Sequence, residues 1–403
     1  MTTQRVNMNT CTTKKNARRS QVWDCFLKLR SEGRNPILMD SSKGWSFVCV
    51  PDAVQPQWAE DLAFLDALPR RGVQEGEPPF VGGWVGFLSY DWGLKQMGLT
   101  SQHKAGLPLM WWKYCTEVYA FEVVEEDAEV PVGFVLGALE AGMSYTEYEA
   151  KIAKIHALLG DGECYQINLT QPFRASFEGD AFALYRALFQ KNPSAMCFYA
   201  EDEDWALCSN SPERLVSLRG DVLRAEPIKG TVGANEDPQF LLKDEKSYAE
   251  LTMIVDLLRN DLGRVAELGS VRVLEHQALM ALKNVWHTYS VIEAKLGPEY
   301  GVADLLRAVF PGGSITGCPK KRSMQWIDLL ENFSRGAYCG SAGYISLNGN
   351  ADFNIMIRTG TVQNGELEFP VGGGIVVDSQ AQEEWEEQQK KLGVVRGLTY
   401  AFD

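Results

Sequence analysis

Strand signals in this chain come in clusters, and that clustering is what most restricts its fold. Short runs rich in apolar, β-branched and aromatic residues fall at 195–200, 205–209, 214–218 and 222–228, and again at 341–347, 354–362 and 366–376. Asn348-Gly349 and Asn364-Gly365 separate members of the second cluster at hairpin spacing. Tight turns of this kind join antiparallel strands, whereas parallel pairing needs a crossover of about a dozen residues or more. Helical periodicity stands apart, at 145–159, 181–190, 244–259, 302–309, 319–331 and 381–401. The pattern predicts an α+β fold with largely antiparallel sheets flanked by helices rather than a βαβ array.

The helix at 145–159 is the clearest local signal. Ser144-x-x-Glu147 is a capping box, Tyr148, Ile152, Ile155 and Leu159 recur at helical spacing, and Gly160 supplies a C-terminal stop. In the strand that follows, Cys164–Thr170, Tyr165, Ile167 and Leu169 point one way and Gln166, Asn168 and Thr170 the other. That second face is either solvated or an amide-lined wall of a site.

Residues 20–135 read as strands with tight turns, including the Gly/aromatic run Val81–Asp91 and the patch Met110–Tyr114. The acidic stretch 124–132 with Pro131 marks an internal boundary before a second region, 143–403, expected to be interwoven with the first. The first nineteen residues carry Arg5, Lys14, Lys15, Arg18 and Arg19 among Thr and Asn with no apolar core, so a disordered tail and no secretory signal are expected.

Composition excludes several classes of function. A formal net charge of −14 repels a phosphate backbone, which argues against nucleic acid and anionic membrane as partners. The apolar stretch 130–139 is far short of the roughly 20 residues of a membrane span. A cytoplasmic protein is expected. The nine cysteines contain no C-x-x-C pair and there are four histidines, so no zinc-like spacing exists and reduced thiols are the simplest reading.

Three segments have the composition of a reactive site. Pro227-Ile-Lys-Gly-Thr231 ends a strand with Lys229 between an apolar residue and glycine. It is either a surface turn or an ammonium aimed into a pocket, where burial would favour the neutral, nucleophilic amine. After Glu250 the helix at 244–259 becomes apolar almost all round, and a carboxylate entering such a helix needs a cation or a proton. Glu384 and Glu387, at i and i+3, share a helical face with Lys391 one turn on, either as an exposed charged face or as donors for a hard cation such as Mg²⁺. The Gly312–Lys320 loop is not a nucleotide-binding P-loop, because Cys318-Pro319 stands where Lys-Ser/Thr is required, but its hydroxyls and N–H groups suit a carboxylate. Gly372–Gly374, between strand-like flanks, allows a close backbone approach to a ligand.

Taken in order, Gly162–Thr170, Ser211-Pro-Glu-Arg214, Pro227–Thr231, Ala249-Glu250 with Ile254–Arg264, Phe310–Lys320 and Gly372–Ser379 resemble the motifs of the chorismate-utilising enzymes across 143–403. Residues 20–130 resemble the more divergent N-terminal part of the synthases in that family. The Pro-Ile-Lys-Gly-Thr version resembles the aminodeoxychorismate synthase component I branch, whereas anthranilate synthases typically carry Ala at the lysine position.

The resemblance implies two stacked, largely antiparallel sheets holding chorismate and Mg²⁺ between them. It also implies a reaction, an amino-group transfer in which ammonia replaces the C4 hydroxyl of chorismate to give 4-amino-4-deoxychorismate for folate synthesis. By resemblance Lys229 is the nucleophile and Glu213 the general acid. Glu250, Glu384 and Glu387 are implied metal ligands, and Arg358 with Tyr338 and Gly372, Gly373 and Gly374 an implied site for the enolpyruvyl carboxylate. Gln166 stands where the water-using relatives carry Lys. Asn168, Thr231, His287, Ser314, Thr316 and Lys391 are expected in the pocket. Ser41, in Leu38-Met-Asp-Ser41, resembles a tryptophan-binding element of anthranilate synthases, which raises bound tryptophan as an expectation. The chain has no amidotransferase-like cysteine motif, so ammonia from glutamine implies a separate amidotransferase subunit in a heterodimer. The alternatives are anthranilate synthase component I and a catalytically silent tryptophan-sensing or partner-binding relative.

Overall fold

The structure, a computed structural model, describes residues 10–42, 44–52, 61–68, 70–127, 129, 133–233, 235–281 and 285–398. Among these, nineteen strands are hydrogen-bonded into one network, and three short strands, Gln166–Gln171, Gly317–Cys318 and Val371–Ile375, form a second, small sheet. The pairing is antiparallel throughout the described residues except between Thr10–Arg18 and Met110–Glu125. The α+β expectation holds.

Local signals fared well where packing agreed with them. The helix Tyr145–Gly160 begins with the capping box, the Ser144 hydroxyl accepting from the Glu147 amide while the Glu147 carboxylate accepts from the Ser144 amide. The clustered strands appear as Met196–Asp202, Trp205–Ser211, Arg214–Arg219 and Val222–Glu226. Two boundaries needed correction. The run at 354–362 divides into Ala351–Asn354 and Thr359–Gln363 around Arg358, whose φ of 51° takes the backbone out of the extended region. The last helix stops at Lys391, followed by a short 3-10 turn to Val394, and residues 399–403 lie outside the described residues.

The disordered-tail expectation is overturned for its second half. Residues 1–9 lie outside the described residues, but Thr10–Arg18 forms a strand and Arg19 opens a helix with its side chain fully buried. The strand was invisible to pattern reading because six of the seven side chains before Ala17 are polar and exposed, and it is held by backbone pairing to the long strand Met110–Glu125.

Apolar packing joins the two sequence regions. Phe26 of the first helix stacks on Phe182 of the helix Ala181–Lys191, ring centroids 4.1 Å apart, and both are fully buried. Fully burying a side chain of this size contributes about 1.5–3 kcal/mol. A second apolar cluster collects Ile167, Leu169, Leu215, Leu251, Ile254, Ile315 and Ile375, from or beside every motif-bearing segment except Pro227–Thr231. The hydrophobic residues of those motifs thus share one core, which brings their polar neighbours to one place.

Candidate active site

One wall is a pair of strands. Ile228–Gly233 lies antiparallel to Val285–Lys295, with Lys229 opposite Thr288 and Thr231 opposite His287. The Thr288 hydroxyl donates to the Lys229 carbonyl at 2.5 Å and His287 Nδ1–H donates to the Gly230 carbonyl at 3.0 Å, which fixes the backbone on either side of the lysine. The Thr231 side chain lies outside what the structure describes. Gly230 has φ of +64°, a conformation that favours glycine. The helix Glu245–Gly263 presents Glu250, whose carboxylate is 3.6 Å from Lys229 Nζ, with both side chains largely buried. Lys229 is therefore largely enclosed rather than in a surface turn, and it meets a carboxylate rather than a purely apolar lining.

Glu213 faces the same space. Its amide donates to the Ser211 hydroxyl at 3.2 Å, that hydroxyl donates to the Ile355 carbonyl at 2.6 Å, and Ser314 Oγ donates to Glu213 Oε1 at 3.0 Å. Burial pushes the Glu213 carboxyl up to about 7, although the charge of Lys229 and the Ser314 hydrogen bond both pull it down. A carboxyl in that range holds a proton near neutrality and can give it away.

The opposite wall is the small sheet. Thr170, Leu169 and Asn168 pair with Gly372, Gly373 and Gly374. A Cβ at Gly374 would sit 2.4 Å from Gln166 Nε2, and one at Gly372 2.4 Å from the Thr170 methyl, so the glycines are required by close approach. The Gln166 amide is fully buried, and neither its oxygen nor its nitrogen has a hydrogen-bond partner among the described residues; Asn168 Oδ1 is in the same position. A buried polar group left unmatched costs about 1–3 kcal/mol. Such groups are accounted for by a ligand or water in the space they face.

Arg358 contributes a cation. Its guanidinium is partly buried and makes no ion pair or side-chain hydrogen bond among the described residues, and burial lowers its pKa. Its charge also acts on His287, whose imidazole is pushed down chiefly by burial. Tyr338 is buried, with its hydroxyl raised well above its ordinary value by burial. Ser314 points at Glu213, whereas the Thr316 hydroxyl donates back into its own loop, to the Gly312 carbonyl at 2.9 Å.

The acidic residues of the last helix divide. Glu384 is buried and accepts from Ser379 Oγ at 2.7 Å, while Glu387 is half exposed and pairs with Lys391 at 2.7 Å. Lys391 also donates to the Gly372 carbonyl at 2.8 Å. Both Glu384 and Lys391 approach Gly373, lying 3.3 and 3.7 Å from where its Cβ would be. Among the described residues no three His, Cys, Asp or Glu side chains converge as a metal centre, so Glu250, Glu384 and Glu387 are not gathered around one point in this structure.

Ser41 lies elsewhere. Its carbonyl accepts from Arg19 at 2.7 Å and its amide donates to Asp40 at 3.0 Å, inside a buried cluster in which Asp40 also pairs with Arg19 and accepts from Trp23 Nε1 and Ser46.

Residues 125–397 match the family model described as chorismate binding enzyme. The chain belongs to that family. It is 40% identical over 344 residues to aminodeoxychorismate synthase component 1 of Klebsiella aerogenes, covering 78% of this chain and 76% of the relative. It is 38% identical over 272 residues to anthranilate synthase component 1 of Pseudomonas aeruginosa, covering 66% and 55% respectively. Its fold matches the crystal structure of anthranilate synthase component I from Streptococcus pneumoniae with a TM-score of 0.76 at 29% identity, covering 90% of each chain.

Two ion pairs behind the pocket escaped the sequence reading. Lys320 is buried against Asp261 at 2.7 Å, and Arg335 is buried against Glu331 at 2.6 Å. The only signal for the second was an i, i+4 spacing at a helix end, which elsewhere usually marks an exposed pair.

Proposed function

We propose that this chorismate-utilising enzyme is the aminodeoxychorismate synthase component, which exchanges the C4 hydroxyl of chorismate for an amino group. The observation that carries the reading is Lys229 in a pocket shared with a carboxyl held protonated near neutrality, Glu213. Hydroxide is a poor leaving group, so displacement needs a proton donor at C4 and a nucleophile elsewhere on the conjugated ring. In the first step Lys229, after its ammonium gives a proton to Glu250 or solvent, bonds to C2, the ring double bonds shift, and the C4–O bond breaks as Glu213 transfers its proton, releasing water. In the second, ammonia bonds to C4, the double bonds shift back, the C2–N bond breaks and the amine of Lys229 is restored. The proton lost by each amine on forming its bond returns through the Glu213 carboxylate or solvent.

Chorismate is a dianion, and the chain carries −14, so its carboxylates need local cations. Arg358 is the open guanidinium for one of them, a bidentate fork that lysine does not reproduce. The unmatched amide of Gln166 and Asn168 Oδ1 supply neutral hydrogen bonds to the ring, and Gln166 carries no basic group that would activate water. Glu250, Glu384 and Glu387 are carboxylates of the kind that suits Mg²⁺ and would have to draw together to hold it, and two of the three now face ammonium groups, Lys229 and Lys391. Bound there, the ion would supply positive charge for the ring carboxylate. Ammonia is supplied by a separate glutamine amidotransferase subunit, a reading supported by the name "component 1" of the relatives.

Incubation of the purified chain with chorismate, Mg²⁺ and ammonium, with products identified by mass spectrometry, tests the reading. Aminodeoxychorismate without pyruvate is expected; anthranilate with pyruvate would replace the reading by anthranilate synthase. Lys229→Ala is expected to lose the covalent route, and undiminished turnover in that variant would remove the lysine from the mechanism. Calorimetric titration of Mg²⁺ should weaken in Glu250→Gln, and an unchanged isotherm would remove Glu250 from the ligand set.

A further inference from the structure

The Arg335–Glu331 pair is buried to within a few per cent of full enclosure, yet it touches none of the residues assigned to binding or chemistry through their side chains. What it holds is backbone. Arg335 Nη1 donates to the Ile315 carbonyl at 2.8 Å, and Nη2 donates to the Asn168 carbonyl at 2.8 Å. The same guanidinium grips Glu331 in bidentate fashion, Nε to Oε2 at 2.8 Å and Nη2 to Oε1 at 2.6 Å. Glu331 Oε1 in turn accepts from both the amide and the hydroxyl of Thr170 at 2.8 Å. The ring of Tyr90 covers the guanidinium, 4.6 Å from its carbon to the ring centroid.

These contacts brace two neighbouring segments, which also meet directly where the Asn168 amide donates to the Thr316 carbonyl at 2.9 Å. Ile315 adjoins Ser314, the donor to Glu213, and Asn168 with Thr170 forms the strand that carries Gln166 and lies against Gly372–Gly374. A buried ion pair is seldom worth more to stability than an apolar pair of the same shape. Its planar, multiply bonded geometry instead fixes distances between the groups it joins.

We infer that Arg335, held by Glu331, is a positioning residue: it sets the register of the Ser314 loop against the Asn168–Thr170 strand, and through them the placement of Glu213 against the bound ring. The inference rests on the proposed roles of Glu213 and Ser314. Lysine at 335 keeps the charge but lacks the fork that reaches Glu331, Ile315 and Asn168 together.

The test is Arg335→Lys, with Glu331→Gln as a second variant that keeps the shape and loses the charge. Both are assayed by consumption of chorismate, whatever the product, as a function of pH, alongside thermal melting. For Arg335→Lys, kcat is expected to fall roughly tenfold to a hundredfold, the scale of a misplacement of about 1 Å, with a much smaller change in KM for chorismate. Loosening Ser314 removes a hydrogen bond that favours the ionised Glu213, leaving Lys229 as the group that still pulls it down, so the alkaline limb of kcat should move to higher pH. Glu331→Gln should move that limb the same way by less. If Arg335→Lys does not fold, Glu331→Gln alone decides. A loss of activity that merely tracks the loss of folded protein, with the limb unmoved in both variants, would overturn the inference. Product identity in the unsubstituted enzyme tests the functional reading separately, since the limb is read from chorismate alone.

Discussion

Arg19 and Arg358 are both removed from bulk solvent, and their surroundings could hardly differ more. Arg19 is saturated: its guanidinium meets Asp40, Glu126, Ser46 and the Ser41 carbonyl, and Asp40 is further held by Trp23. Arg358 has no such partner among the described residues, and its charge acts on the buried His287 imidazole instead. Desolvation of a charge is expensive in both places. In the N-terminal region the cost is offset within the fold, whereas around Arg358 the described residues supply no comparable offset. Polar satisfaction, more than burial, separates architecture from site in this molecule.

That contrast can be broken at either end. The largest effect is expected from Glu213→Gln, which removes the proton donor and should lower kcat by roughly 10²–10⁴-fold at pH 7 while the protein stays folded. The same variant has a signed effect on stability. A carboxyl whose folded pKa is raised to about 7 stabilises the fold below its unfolded value and loses that contribution as pH rises through the folded one. Melting curves at pH 5 and pH 8 should therefore show Glu213→Gln gaining on the parent at the higher pH, and a gain confined to pH 5 would reverse the assignment. Activity of the parent should likewise decline as pH climbs past about 7.

Next in size is Arg19→Met, which strands the buried Asp40 carboxylate and should cost about 3–5 kcal/mol in denaturant unfolding. Its KM and kcat, measured on the fraction that remains folded, should be unaltered; a selective change in chorismate binding would erase the distinction between the two arginines. Arg358→Lys is expected to do the opposite, raising KM for chorismate roughly tenfold to a hundredfold with the melting temperature held or raised. Smallest is Gln166→Leu. Removing an unmatched amide should stabilise the empty protein by up to about 1 kcal/mol while weakening chorismate binding, and destabilisation without loss of binding would mark the amide as structural.

How much of this was readable beforehand depended on whether the signal was local. The capping box at Ser144 and the hairpin asparagines are written within a few residues, and the structure follows them; of the alternating apolar face, Ile167 and Leu169 enter the core but Tyr165, just before the strand, is exposed. The motif order identified the family, and the pocket brings Lys229, Glu213, Ser314 and Glu250 together as that order implied. Non-local satisfaction was not readable. Thr10–Arg18 looked like tail because a strand held by its backbone needs no apolar alternation. Arg335 and Glu331 carry no signal in the sequence, because nothing near them there announces that the Asn168 and Ile315 carbonyls will arrive. The two glutamates of the last helix looked equivalent, and only packing against the glycine strand turned Glu384 inward and left Glu387 half exposed.

The pairing of Gly83–Leu88 with Ser341–Ser346 has a consequence for biosynthesis. A strand made early finds its neighbour only when residues some 250 positions later have emerged, and the Val81 amide meets the Ser346 hydroxyl across 265 residues of chain. Long-range pairing of this kind is slow and exposes strand edges until it completes. On the ribosome, then, one edge of Gly83–Leu88 stays unpaired until residues 341–346 have emerged.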